Sequence, residues 1–418
     1  MRLRVKNVGI LSDSEIEIAG ITVVAGENNT GKSTFGKALY SVFSALNNLE
    51  ERVEYAKRDS AIHAAQLTFA KKIKNLSDEN WLDSICSKIG ESQLTEGLIS
   101  DIAKSYPAGS SEEVDTFVKR ATEILAMDET VIKKRLILNS FNGEFRNQIQ
   151  NQLKRNEQSQ VDLLIAGNLI SVVIDNETIQ STSGLIDLSH TPVYIDDITS
   201  NFGSTRFPWF SKLTFNYQHS INLYNLINSK LINNEDDGDY RVIEDILNDL
   251  LLRPVQDRIN EICHGTLKTV EKDIKFIDDN MPGVQFDLVN VSSGLKTFLI
   301  LQELIRNGTI CENGTVIMDE PEIHLHPKWQ VVLAELIVML QKAMKLHILI
   351  TSHSPYFVSA IDVFSKKHRV VENNRYYFST RIGNSVSVED VTEKIRVIYD
   401  SLAAPYQTIQ DEANRVEE

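Results

Sequence analysis

The sequence predicts an α/β fold with a mixed central sheet, antiparallel strands at its N-terminal end and helical insertions. Three observations point to it. The apolar run Ile21–Ala25 leads into a Gly-rich loop at 26–34, after which Phe35, Leu39, Val42, Phe43 and Leu46 recur at helical spacing. A second apolar run from Gly314 ends in the adjacent carboxylates Asp319 and Glu320. A third, from Leu346, ends in Ser352-His353-Ser354-Pro355, one helix further on.

Residues 1–46 read as the strands Leu3–Val8 and Glu15–Ile18, then the apolar strand, the loop and its helix. The loop, GENNTGKST, fits the phosphate-binding pattern G-x-x-x-x-G-K-[ST] with Gly26, Gly31, Lys32 and Ser33 in place. Glycines let backbone N–H groups turn toward phosphate oxygens, and the positive end of the next helix faces the same anion. Gly26, Asn28, Asn29, Thr30, Gly31, Lys32, Ser33 and Thr34 are therefore the candidate nucleotide contacts. Lys32 would reach the β- and γ-phosphates, and the Ser33 hydroxyl would ligate Mg²⁺. A Gly-rich turn without a ligand is the competing reading; a strand before the loop and a helix after it favour the nucleotide.

Residues 47–158 are polar and Pro-poor, with Ile62, Ala65, Phe69 and Ile73 on one stretch and Val114, Phe117, Ala121 and Leu125 on another, which predicts a helical insertion. Residues 159–199 change to strand character, with Leu163–Ile165, Leu169–Ile174 and Val193–Ile195 separated by turn residues. These are expected in the antiparallel part of the fold. Residues 200–280 read as a second helical subdomain, interrupted by the acidic loop Glu235–Asp239. Residues 281–418 hold a strand at Val284–Asn290, a helix from Ser293, and the two apolar strands. After His353 come a helix, paired strands at Arg369–Val371 and Tyr376–Thr380 across the turn Glu372-Asn373-Asn374, and a closing helix near Val391–Leu402.

The strand ending in Asp319 and Glu320 has the form of a Walker B element. Asp319 would hold Mg²⁺ through water, because that ion keeps several of its waters and takes few carboxylates. Glu320 would orient and activate the attacking water. Taken alone, Ser292-Ser293-Gly294 is a helix start with Ser293 as N-cap and Asn307-Gly308 as the stop. His353, taken alone, is a structural or exposed histidine after a strand.

The order of these blocks resembles the ABC-type ATPases. The wording Asp319-Glu-Pro-Glu-Ile-His324-Leu-His326-Pro, with Lys328-Trp329-Gln330, is similar to the RecF/SMC/OLD-like branch, and especially to the AAA-15/AAA-21 ATPases of prokaryotic defence systems. The matching blocks cover 1–46 and 282–360. The resemblance implies an ABC-type P-loop ATPase head. It also implies that Ser292, Ser293 and Gly294 form a signature capping the γ-phosphate of an ATP on the opposite subunit, and that His353 is a switch histidine at that phosphate. Glu320, His353 and Lys32 are then the catalytic set, Ser33 and Asp319 the metal set, and a homodimer sandwiches two ATP molecules.

Departures from the branch narrow this reading. About sixty residues follow His353, too few for the Toprim nuclease of the OLD proteins and its linker. The acidic run Glu235–Asp239 reads as solvated loop in place of a two-metal site. No sustained heptad repeat appears between 50 and 160, and a Cys-x-x-Cys hook is absent. His324 and His326 alternate as strand ligands would, but no third ligand is identifiable.

At 42% hydrophobic and 24% charged, the composition is that of an ordinary globular chain. Three widely spaced cysteines, Cys86, Cys263 and Cys311, suit reduced thiols, and no run approaches membrane-spanning length, so the cytoplasm is the expected location. A net charge of −15 argues against a broad nucleic-acid surface, since phosphate binding relies on Lys and Arg, and leaves room only for a local basic patch. Two roles for an ATP hydrolase follow from the resemblance. One is the regulatory ATPase of an antiviral defence operon, controlling a separate effector protein encoded nearby. The other is a RecF/SMC-like clamp on DNA in repair or chromosome maintenance. A third reading, ATP as structural glue, is disfavoured by the intact Glu320 and His353.

Overall fold

The computed structural model describes residues 1–70, 76–105, 111–154, 156–188, 190, 192–196, 219–232, 242–270, 273–383 and 385–417. The predicted acidic loop Glu235–Asp239 and Ile73 lie outside them. The chain divides into two compact units, one of residues 1–44, 140–185 and 190–418, the other of 45–139 and 186–189.

The first unit is built on three sheets. Its six-stranded sheet has the order β14 (Ser385–Asp390), β13 (Arg375–Ile382), β3 (Ile21–Gly26), β12 (His347–Ser352), β11 (Thr315–Asp319), β7 (Val193–Ile195). All of its pairings are parallel except β13 with β14. β3 is buried over its whole length, which is why it reads as an unbroken apolar run. Helices α9 (Ser293–Arg306), α10 (Pro327–Met344) and α11 (Pro355–His368) supply Phe298, Leu304, Leu336, Ile337, Phe357 and Ile361 to the same core as β3, β11 and β12.

An antiparallel sheet runs β2 (Leu11–Glu17), β1 (Arg2–Val8), β4 (Ser159–Ile165), β5 (Asn168–Asp175), β6 (Thr178–Ser183). β1 alternates Arg2, Arg4 and Lys6 outward with Leu3 and Val5 inward, so one face meets water and the other the core. Arg4 Nε and Nη2 donate to the Asp13 carboxylate across the β1–β2 pair at 2.9 and 2.7 Å. A third sheet, β10 (Gln285–Asp287), β9 (Asp273–Asp278), β8 (Gly265–Val270), follows α7 (His219–Ile232) and α8 (Val242–Asn260). The unit also holds α1 (Lys32–Leu46) as far as Ser44, and α12 (Arg396–Glu417).

The second unit is helical: α2 (Leu49–Phe69), α3 (Leu76–Glu91), α4 (Glu96–Ser105), α5 (Ser111–Leu125) and the start of α6 (Glu129–Phe145). Ala65, Phe69, Phe117 and Ala121 meet Leu82, Ile85 and Ile99 in its core. Phe69 packs edge-on to Trp81 with ring centroids 5.1 Å apart.

Several expected boundaries differ. Residues 140–158, expected in the helical insertion, belong to the first unit. Residues 265–278, expected as helix, form the hairpin β8–β9; the alternating burial of Ile274 and Phe276 is the period-two signal for it. The expected strand Val284–Asn290 is only β10, followed by a 3₁₀ turn at Leu288–Asn290. The closing helix is α12, shifted C-terminally from 391–402.

The expected pair Arg369–Val371 with Tyr376–Thr380 does not form. Val371–Asn373 is a 3₁₀ turn, and β13 pairs with β3 on one side and β14 on the other. Asn374, read as a hairpin turn residue, is buried. Its Oδ1 accepts the Ile21 N–H at 3.2 Å and its Nδ2 donates to Ser365 Oγ at 2.8 Å, so it caps β3.

Candidate functional site

The parallel register sets the carboxyl ends of β3, β12 and β11 side by side: Asp319 lies opposite Thr351, and Thr351 opposite Val24. Ligands of open α/β sheets sit at such ends.

The loop leaving β3 is held by protein on two sides. A Cβ on Gly26 would stand 2.2 Å from the Ser379 carbonyl oxygen of β13, and Ser379 Oγ donates to Thr30 O at 2.6 Å. Thr30 Oγ1 donates to Glu27 O at 2.8 Å. Gly31 has φ +80°, and its missing Cβ gives room to Leu11 of β2. Gly26 is thus required by close backbone approach and Gly31 by its left-handed φ, as well as by any need to expose N–H groups. Asn28 and Asn29 are exposed, and Thr34 is half-buried against Gly9.

Lys32 opens α1 with its side chain 3% exposed, its Nζ donating to Glu27 O at 2.8 Å and lying 3.3 Å from Glu320 Oε1. Ser33 Oγ donates to Asp319 Oδ1 at 2.9 Å, the Thr351 hydroxyl donates to the same oxygen, and Tyr194 OH reaches Asp319 Oδ2 at 3.4 Å. Burial pushes the Asp319 carboxyl above its usual range, opposed by the Thr351 and Ser33 hydroxyls and reinforced by nearby Glu320 and Asp196. A hydroxyl and a carboxylate already in contact are the hard oxygen donors that Mg²⁺ takes, so the residues fit that ion.

Glu320 stands in the left-handed region at φ 51°, and its N–H donates to both O and Oγ1 of Thr351 at 3.1 Å. Non-glycine residues held there concentrate at functional sites. His353 follows β12 with its side chain 40% exposed and Nδ1 3.3 Å from Glu320 Oε2. The structure therefore gathers Lys32 and Ser33 with Asp319, Glu320 and His353 at the carboxyl ends of the sheet, although Ser33 and Asp319 stand 286 residues apart in the chain.

Ser292, Ser293 and Gly294 are placed differently. α9 begins at Ser293, so the N-cap position falls to Ser292, one residue before the expected one, and its hydroxyl makes no cap hydrogen bond. Gly294 lies under Leu325 and Trp329, each 3.1 Å from where its Cβ would be. Among the described residues, no hydrogen bond or ion pair joins these three to the cluster around Glu320. His326 caps α10, its Nδ1 accepting the Lys328 N–H at 3.2 Å.

Three features escaped the sequence. Glu322, 2% exposed, accepts from Ser352 Oγ at 2.6 Å and from the His353 N–H at 3.1 Å, both on Oε1. Burial pushes its carboxyl upward. Ser379 braces the loop from β13. Behind Asp319, Tyr194 stacks on His219 with ring centroids 4.1 Å apart. The two ring nitrogens of His219 lie 2.6 Å from Glu144 and 2.8 Å from Asp196. Burial opposes a proton on His219, but its bonds to Asp196 and Glu144 outweigh this and raise its pKa to about 9. Tyr194-Ile195-Asp196, an apolar run ending in a carboxylate, was the one local clue.

Known proteins resemble this chain to different extents. The retron Ec83 probable ATPase of Escherichia coli is 27% identical over 156 residues, spanning 35% of this chain and 25% of that protein. The chain thus covers about a quarter of that relative's length. The SMC head domain from Thermotoga maritima is 12% identical with a TM-score of 0.38, covering 93% of this chain and 98% of that one. An Smc head with an extended coiled coil, bound to the C-terminal domain of ScpA derived from Pyrococcus furiosus, is 10% identical with a TM-score of 0.43, covering 96% and 98%. The model of one family, described as an AAA ATPase domain, matches residues 1–358, a span that holds every residue of the cluster, and the chain belongs to that family of ATPases.

Proposed function

We propose that this chain binds ATP between Lys32 and the carboxyl ends of β3, β11 and β12, hydrolyses it, and closes a homodimer around it. The meeting of Lys32, Ser33, Asp319, Glu320 and His353 in one cluster carries the reading. Phosphate oxygens would exchange the Lys32–Glu320 ion pair for contacts with Lys32 and the loop N–H groups, turning the Glu320 carboxylate toward water. Glu320 then orients that water and takes its proton, while His353, adjoining Glu320, contacts the γ-phosphate. Ser33 and Asp319 would hold Mg²⁺, which when bound neutralises charge on the β- and γ-oxygens. Ser292, Ser293 and Gly294 would serve the partner's ATP by presenting the N-terminus of α9.

The test is Glu320→Gln, whose amide keeps the shape of the carboxylate but is a poor base. ATP binding should persist while turnover falls about 10²–10⁴-fold. Lys32→Ala should instead lose tight binding. Turnover near wild type in Glu320→Gln would remove the assignment.

For the biological role, the wording at Asp319–Pro327 and the match to a retron ATPase support an antiviral defence ATPase that controls a separate effector. ATP can shift the effector's affinity only by binding two head states unequally. The protein encoded beside this one should therefore bind it with an affinity that changes between ATP and no nucleotide. Equal affinity in both, together with DNA-stimulated, steeply salt-dependent turnover, would favour the DNA clamp.

A further inference from the structure

Glu322 is a buried carboxylate beside the cluster, and the proposed mechanism gives it no part. Its Oε1 takes two hydrogen bonds from consecutive residues, Ser352 Oγ at 2.6 Å and the His353 N–H at 3.1 Å, and stands 3.9 Å from His353 Nδ1. Its Oε2 is buried and finds no hydrogen-bond partner among the described residues. An unpartnered buried oxygen costs free energy, and an apolar side chain of similar size would avoid that cost. The bonds on Oε1 are what the carboxyl supplies in return, and both lead to the turn that carries His353.

The turn is tied down further along. Ser354 donates its N–H to Ser352 Oγ at 3.1 Å and its hydroxyl to Gln330 Oε1 at 2.8 Å, and Gln330 Nε2 donates to Leu325 O at 3.2 Å. The segment after Glu320 and the turn after β12 are thus laced together at both ends, by Glu322 and by Gln330. His353 Nδ1 and Glu320 Oε2 face each other across this lacing at 3.3 Å.

We propose that Glu322 is a positioning residue, fixing through Ser352 and the His353 N–H where the His353 ring stands relative to Glu320. With its side chain 2% exposed, it acts through His353. The inference rests on the catalytic reading of His353 given above.

Steady-state ATP turnover and equilibrium binding of a fluorescent ATP analogue test it in the full chain, using Glu322→Ala, Glu322→Gln, Ser352→Ala and His353→Ala. Glu322→Ala should lower kcat about 10-fold or more, because small displacements of a catalytic group are costly, while the analogue's Kd stays within about 3-fold. Glu322→Gln, whose amide oxygen can accept both bonds, should restore most of kcat. In a His353→Ala background, Glu322→Ala should lower kcat no further, since two residues acting as one unit are not additive. Ser352→Ala, losing one bond, should show a smaller loss with the same non-additivity, and it decides the matter if Glu322→Ala does not fold. Unchanged kcat in both single variants, or losses that multiply with that of His353→Ala, would overturn the inference alone. A His353→Ala protein as active as wild type would overturn the role of His353 and this inference with it.

Discussion

At the scale of single residues, charge and burial explain most of the cluster's order. Asp319 is surrounded by donors because a buried carboxylate without them would be neutralised or displaced. His219, behind it, is the clearest case of a group whose ionisation is tied to folding. Its pKa is raised from 6.5 to about 9 by Asp196 and Glu144 against the opposing effect of burial. A raised folded pKa means that the contribution of the His219 pairs with Asp196 and Glu144 is fully present below about pH 6.5 and is lost as pH climbs through about 9. The difference corresponds to roughly 3 kcal/mol. Thermal unfolding followed from pH 6 to 9.5 should show the wild-type Tm falling across that window. In His219→Gln the curve should be lower at pH 6 and flatter above it. A wild-type Tm that rises from pH 6.5 to 9 would contradict the charged pairing of His219 with Asp196 and Glu144.

At the scale of elements, the phosphate-binding loop is a strand end pinned between two neighbours. β3 is paired on both sides, so the Ser379 carbonyl cannot retreat from a Cβ placed 2.2 Å away at Gly26. Gly26→Ala should lose ATP binding and cost about 1–3 kcal/mol or more by overpacking. Gly308→Ala is the control. Gly308 has φ +69° with nothing near its Cβ position, so only the backbone term of about 1 kcal/mol applies. Paired measurements of Tm and nucleotide affinity check this; equal costs at the two sites would show that the loop relaxes freely around position 26. The motif strands and their helices were legible because each is a long apolar run with one period. β13 was misjudged because its turn signal, Asn373-Asn374, serves another element: Asn374 ends up buried against Ile21 and Ser365.

At the scale of the whole molecule, the proposed composite site makes a strong claim about copies of the chain. A closed two-fold dimer uses one patch twice, so each active site would combine one subunit's Lys32 with the other's Ser293 and Gly294. Ser293→Arg should bind ATP nearly as wild type does and hydrolyse almost none. Mixing it with Lys32→Ala puts both defects into one site of each heterodimer and leaves the other site whole. Random 1:1 reassortment should then recover about a quarter of wild-type turnover. Absence of recovery with heterodimers verified by mass would refute sharing. The same experiment bears on Gly294, whose contact with Leu325 and Trp329 leaves little room for any added side chain.

The sequence by itself determined the loop, the strand ending in Asp319-Glu320, the strand ending before His353, and the helices between them. Those rest on local periodicity, and on a residue pattern in which each position has its own chemical reason. Only the tertiary structure decided which strands pair, and therefore what else stands at the site. Tyr194, His219, Glu322 and Ser379 are ordinary residues in their own neighbourhoods. They gain their places because parallel pairing of β7, β11, β12, β3 and β13 brings five distant strand ends to one edge. Pairing is a matter of long-range burial, which no window of neighbouring residues encodes.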